Sequence, residues 1–166
     1  MRKIAIVGSP NVGKSVLFNE LTGRYTAAVS NYPGTTVEVF RGKTRIGPDE
    51  FEIIDTPGMY SFMPLTEEER IARQIILDEK PCLILHVIDA KNLERMLPLT
   101  LQLLEAGLAL ILVLNIMDEA RGLGMAIDIA RLESLLKIPV VGTVGVTREG
   151  LDILRGKIES YVKRFC

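Results

Sequence analysis

Residues 8–15 read Gly8-Ser9-Pro10-Asn11-Val12-Gly13-Lys14-Ser15, a complete G-x-x-x-x-G-K-[ST] pattern. These residue types at this spacing suit phosphate chemistry. Backbone N–H groups of such a loop curl around a β-phosphate, and the helix that follows adds its partial positive charge. Gly8 and Gly13 stand where the chain must turn tightly or approach phosphates without a Cβ. Lys14 would reach the β- and γ-phosphates, and the Ser15 hydroxyl would hold Mg²⁺. A chance glycine turn before a helix is the bland alternative. The setting weighs against it: the apolar run Lys3-Ile4-Ala5-Ile6-Val7 precedes the loop, and Val16 to Leu21 follows with apolar residues at helical spacing. A nucleoside triphosphate site is therefore expected.

Two further groups share this chemistry. Asp55-Thr56-Pro57-Gly58 ends an apolar run. A carboxylate there can hold Mg²⁺ through its water shell, and the Gly58 N–H can turn toward a γ-phosphate and release it after hydrolysis. Asn115-Ile116-Met117-Asp118 follows another apolar run and has the form of a base-reading element. The Asp118 carboxylate only accepts hydrogen bonds, and guanine offers adjacent donors on N1 and N2 where adenine does not. This favours GTP over ATP. Asn115 would bridge to the phosphate loop and help frame the base, and Met117 is counted with the nucleotide-binding residues. Between residues 24 and 36 a polar stretch reads as a loop that γ-phosphate and Mg²⁺ would order, with Thr35 or Thr36 supplying a hydroxyl.

The elements that must position these groups alternate strand and helix. Strands are predicted at about 3–8, 37–46, 50–55, 82–88, 108–114 and 138–143. Helices are predicted at about 13–22, from Thr66, and at 92–106, 125–136 and 149–163. Thr66 and Glu69 form a capping box, and Glu67-Glu68-Glu69 reads as a solvent-facing first turn. Gly47-Pro48-Asp49 is too short for a crossover, so the strands it joins pair antiparallel. The fold class is α/β: a three-layer sandwich with a six-stranded, mostly parallel sheet, one antiparallel edge strand and about five helices. In such a sheet ligands sit beyond the carboxyl ends of the strands, where every motif above falls.

The chain has 166 residues, a net charge of −1 and two cysteines. One domain over 1–166 is implied, and the charge balance gives no footprint for nucleic acid. Cys82, in an apolar strand, and Cys166 have no metal-ligand spacing and suit free thiols in a reducing compartment. No signal peptide or apolar run of about 18 residues stands out, so a soluble, cytoplasmic chain is expected. His86, inside an apolar strand, reads as a core residue rather than a metal ligand.

Longer stretches carry a resemblance. Asn31-Tyr32-Pro33-Gly34-Thr35-Thr36-Val37-Glu38, Asp55 to Ser61, and Val87-Ile88-Asp89-Ala90-Lys91-Asn92-Leu93-Glu94-Arg95 resemble the N-terminal G domain of the ferrous iron transport protein B family. The resemblance covers essentially the whole chain. It implies a GTP-hydrolysing switch in which Thr36, rather than Thr35, holds Mg²⁺ and Asn11 is linked with a potassium ion. It implies a cytoplasmic domain joined to a helical regulatory domain and a membrane-embedded iron permease, and it leaves homo-oligomerisation open. Two positions depart from common GTPase patterns: Ile116 replaces the usual Lys, and Thr143-Val144-Gly145 replaces a Ser-Ala-based base-contact loop.

Catalysis must also depart from the common pattern. Many GTPases place Gln after the D-x-x-G glycine, but here Met59 stands there and cannot orient water. A potassium ion held by Asn11 and by switch-loop backbone carbonyls would instead neutralise charge developing between the β- and γ-phosphates, with Lys14, Thr36 and Gly58 as the other catalytic residues. Alternatives are a ribosome-assembly GTPase, a nucleotide-dependent docking module with negligible hydrolysis and, more distantly, an ATPase.

Overall fold

The computed structural model describes residues 1–23 and 27–166. Strands β1 (Arg2–Val7), β2 (Ala28–Asn31), β3 (Glu38–Ile46), β4 (Asp49–Asp55), β5 (Leu83–Asp89), β6 (Leu110–Asn115) and β7 (Val140–Gly142) form one sheet in the order β2-β3-β4-β1-β5-β6-β7. β3 runs antiparallel to both of its neighbours, and the pairs from β4 to β7 are parallel. Among the described residues six α-helices accompany it: α1 (Lys14–Thr22), α2 (Glu67–Glu79), α3 (Leu93–Glu105), α4 (Met117–Gly122), α5 (Ile129–Leu136) and α6 (Leu151–Phe165).

The alternation of side chains along each strand builds two cores. Ile4 and Ile6 of β1 point toward α1 and α6, where they join Leu17, Phe18, Leu154 and Ile158. Ala5 and Val7 point the other way and pack with Ala72 and Ile76 of α2 and Leu99 and Leu103 of α3. β5 and β6 are buried along their whole length, which explains their unbroken apolar sequences. His86 falls on the α3 face of β5. It is 1% exposed, and its Nδ1 lies 2.9 Å from Thr100 Oγ1.

The structure departs from the sequence-based expectations in five places. The sheet has seven strands rather than six, because β2 lies within the stretch read as a loop. All four of its residues are exposed, so no burial pattern marks it, and it is held by its ladder to β3. Residues 24–26 of that stretch lie outside the described residues. α4 is a sixth helix, and α5 begins at Ile129 rather than 125 because the Asp128 side chain caps it by accepting from the Arg131 N–H at 3.0 Å. Glu69 does not face solvent with Glu67 and Glu68 but is buried, 4% exposed. Cys82 and Cys166 are not free thiols: they form a disulfide, with Cα atoms 5.6 Å apart. α6 runs back along the sheet, so its end reaches the N-terminal edge of β5. No helix among the described residues is long and apolar enough to cross a membrane.

Candidate nucleotide site

β1 and β4 deliver Gly8 and Asp55 to the same carboxyl edge of the sheet, on either side of the start of α1. A Cβ on Gly8 would lie 2.3 Å from the Val87 carbonyl oxygen, so close packing of β1 on β5 requires glycine there. Gly13 has φ +94°, and a Cβ on it would lie 2.2 Å from Asn115 Nδ2. Both glycines are therefore explained by protein packing as well as by phosphate approach. Lys14 is buried, and its Nζ donates to the Ser9 carbonyl at 3.1 Å, spanning the loop from inside.

Ser15 Oγ donates to Asp55 Oδ2 at 3.0 Å, while Asp55 Oδ1 is buried with no partner. Burial lowers the Lys14 pKa, with the Asp55 charge opposing it. Burial raises the Asp55 pKa, with the Lys14 charge and the Ser15 hydrogen bond opposing. Each charge is thus short of compensation inside the protein. Anionic oxygens beside Lys14 and a cation beside Asp55 would supply it.

The segment after Asp55 is fastened to the phosphate loop. The Thr56 N–H and hydroxyl both donate to the Ile6 carbonyl, at 3.1 and 2.8 Å. A Cβ on Gly58 would lie 2.6 Å from Pro10 Cγ, and the Met59 N–H donates to the Gly8 carbonyl at 2.9 Å. Met59 is wholly buried in the core with Ala5, Val7 and Ala72, so its thioether faces away from any attacking water. Sequence reasoning missed Glu69, whose Oε2 accepts the N–H groups of Tyr60 and Ser61 at 3.2 and 3.3 Å. The capping pattern located it, but its inward direction depends on how α2 packs.

On the other side of Gly13 lies a cavity of about 230 Å³, bounded by Asn11, Val16, Ile116, Asp118, Val144 and Val146 among others. Asn115 braces it. Its Nδ2 donates to the Val12 carbonyl at 3.0 Å, and its Oδ1 accepts from Thr143 Oγ1 at 2.9 Å and from the Gly145 N–H at 3.0 Å. One side chain therefore ties the phosphate loop to both base-contact loops. Ile116 has φ +61°, a strained conformation for a β-branched residue. Met117 does not line the cavity; it packs with Ile127 and Ile129 beneath β6 and β7. Val146 lines it and carried no sequence signal. The Asn11 side-chain amide has no hydrogen-bond partner among the described residues.

The two candidate threonines differ. Thr35 Oγ1 donates to the Tyr32 carbonyl at 2.8 Å and accepts from the Val37 N–H, closing a turn. The Thr36 hydroxyl is exposed and has no partner among the described residues.

A phosphate loop, a strand-end carboxylate and a base cavity on one edge of a mixed α/β sheet define the class: a P-loop G domain of the GTPase kind. Residues 2–158 match the ferrous iron transport protein B N-terminal domain, and the chain belongs to that family. It is 45% identical over 153 residues to the Fe(2+) transport protein A/Fe(2+) transporter FeoB fusion protein of Porphyromonas gingivalis, an alignment covering 92% of this chain and 18% of that protein. The crystal structure of the G domain of the T. maritima FeoB iron transporter superimposes with a TM-score of 0.89 at 41% identity, covering 98% of this chain and 99% of that one. The GMPPNP form of the T. maritima cytosolic domain gives 0.92 at 42% identity, covering 99% and 65%. Family membership sets aside the ribosome-assembly alternative.

Proposed function

We propose that this domain binds GTP and GDP with Mg²⁺, hydrolyses GTP to GDP and phosphate, and serves as the switch of a ferrous iron transporter. The Asp55 carboxylate carries this reading, being buried, bonded to Ser15 through one oxygen and unpartnered at the other. Leaving such an oxygen unsatisfied costs about 1–3 kcal/mol or more, which a hydrated cation offsets. Ser15, Thr36 and Asp55 would hold Mg²⁺, which when bound neutralises charge on phosphate oxygens. Gly8 to Ser15 would wrap the phosphates, with Lys14 against the β- and γ-oxygens and the Gly58 N–H turned toward the γ-phosphate. Asp118 would accept from guanine N1 and N2, with Asn115 and the Thr143-Val144-Gly145 turn framing the base. Solved T. maritima relatives in GDP and GMPPNP forms support the choice of nucleotide.

With Met59 buried, the free Asn11 amide is the group placed to assist hydrolysis. Its oxygen suits a potassium ion beside the phosphates. Single-turnover hydrolysis with Mg²⁺, in potassium against sodium at equal ionic strength, tests this. A faster rate in potassium that Asn11→Ala abolishes is expected. Equal, negligible rates in both salts would instead favour a nucleotide-dependent docking module. Asp118→Asn should weaken GTP binding and favour xanthosine triphosphate, whose C2 carbonyl needs a donor.

The chain spans 18% of the length of the P. gingivalis relative, so much of such a protein lies outside it. In the whole protein we place this domain on the cytoplasmic face of the membrane, joined to a helical regulatory domain and an iron permease. Light scattering of the domain with each nucleotide would read any self-association.

A further inference from the structure

The chain between Asp55 and α2 is pinned through nearly every main-chain donor it has. The Met59 N–H donates to the Gly8 carbonyl at 2.9 Å, and those of Tyr60 and Ser61 donate to Glu69 at 3.2 and 3.3 Å. The Phe62 N–H donates to Gln102 Oε1 at 2.8 Å, that of Met63 to Ser61 Oγ at 3.1 Å, and that of Leu65 to Glu69 at 3.4 Å. Pro57 and Pro64 have no N–H. From 57 to 65, the Gly58 N–H is therefore the one donor without an acceptor among the described residues. Gly58 is itself seated on the phosphate loop, where an added Cβ would lie 2.6 Å from Pro10 Cγ.

Gln102 is the member of this set that no sequence motif announced. It stands on α3 between Leu99 and Leu103, which seat the helix in the core with Ala5 and Val7. Its Oε1 takes two donors, the Phe62 N–H and the Ser61 hydroxyl, the latter at 3.2 Å. A main-chain N–H can only donate, so the Phe62 bond identifies the amide oxygen, and the Ser61 hydroxyl must donate to it as well. The Phe62 ring packs against the same core as Leu99 and Leu103. Glu69 thus fixes the segment to α2, and Gln102 fixes it to α3.

We propose that Gln102 is a positioning residue for the nucleotide switch: by anchoring Ser61 and Phe62 to α3 it holds the Gly58 N–H beside the phosphate loop for a γ-phosphate oxygen. The role rests on Gly58 serving the γ-phosphate. That bond forms only with a triphosphate, so Gln102 favours GTP over GDP while touching neither. Without the anchor, the Phe62 N–H and the Ser61 hydroxyl turn to water and the segment gains alternative positions. The bond from Gly58 must then bear the entropy of ordering the segment again.

Calorimetric binding of GDP and of non-hydrolysable GMPPNP, each with Mg²⁺, tests this on the 166-residue chain, whether or not it hydrolyses GTP. Gln102→Met keeps the length of the side chain without a strong acceptor, and Gln102→Glu keeps an acceptor oxygen. In Gln102→Met, GDP affinity should stay within about twofold while GMPPNP binding weakens about tenfold, the loss of one hydrogen bond to a charged oxygen. Gln102→Glu should recover most of that loss, and Ser61→Ala, which removes one of the two donors, should fall between. Thermal unfolding shows which variants are folded. A GMPPNP-to-GDP ratio unchanged in folded Gln102→Met, or equal weakening of both nucleotides, would overturn the proposal. If Gln102→Met does not fold, an unchanged ratio in Ser61→Ala overturns it instead. A parent chain that binds neither nucleotide would overturn the GTP-switch reading itself, and the role of Gln102 with it.

Discussion

The Glu69 carboxylate holds the Tyr60 N–H at 3.2 Å, tying the first turn of α2 to the segment that follows Gly58. The same carboxylate accepts from Ser61 N–H, Leu65 N–H and the Thr66 hydroxyl, at 3.3, 3.4 and 3.3 Å. A single buried acid thus organises the whole approach to α2. Glu69→Ala leaves several donors without an acceptor and should cost about 2–3 kcal/mol in urea unfolding. Glu69→Gln keeps an acceptor oxygen and should recover part of that loss. Equal stability of all three proteins would refute this role.

Ile116 sits at φ +61° at the edge of the base cavity. Left-handed backbone at a β-branched residue costs about 1–3 kcal/mol. Ile116→Gly or Ile116→Asn should therefore raise stability by about 1 kcal/mol, less for Gly because its unfolded chain is freer. Ile116→Lys should strengthen GDP binding, since its stem can lie along the face of the base. Thermal unfolding and fluorescent-GDP titration check the two effects separately.

His86 makes acid stability predictable. Burial lowers its folded pKa to about 3 from an ordinary value of 6.5. Below pH 6.5 the unfolded chain takes up a proton that the folded chain refuses, so stability falls as pH drops from 6.5 toward 3. The slope is about 1.4 kcal/mol per pH unit for this one group. His86→Asn removes the titration, and its stability against pH should be flatter than the parent's between pH 6.5 and 4. Parallel curves for the two proteins would count against it.

The disulfide between Cys82 and Cys166 closes a loop with a sequence separation of 84. Constraining an unfolded chain over that length stabilises by about 4–5 kcal/mol on loop-entropy grounds. Thiol titration of the denatured, unreduced chain should find no free sulfhydryl. Reductant, or Cys82→Ser with Cys166→Ser, should lower the urea midpoint markedly. Two titratable thiols in the unreduced protein would contradict the bond.

Much of the site was legible in the sequence because it rests on local rules. Gly8 to Ser15 is a contiguous loop whose chemistry follows from residue type and spacing, and the strands that aim it are continuous apolar runs. Thr66 and Glu69 announced a helix start for the same local reason, and the bond from Glu69 N–H to Thr66 Oγ1 at 3.2 Å is present. Strand β2 was not legible, because Ala28 to Asn31 are all exposed and only the ladder to β3 makes them a strand.

What the sequence by itself determined was the class of fold, the phosphate loop and the identity of the residues at the strand ends, since these depend on neighbours a few positions apart. Only the tertiary structure decided what lies across from them. Cys82 meets Cys166, the Glu69 side chain turns inward and His86 meets Thr100 only once α2, α3 and α6 are laid on the sheet. Contacts between residues far apart in the chain depend on how helices seat on the sheet, a packing solution that local residue patterns do not encode.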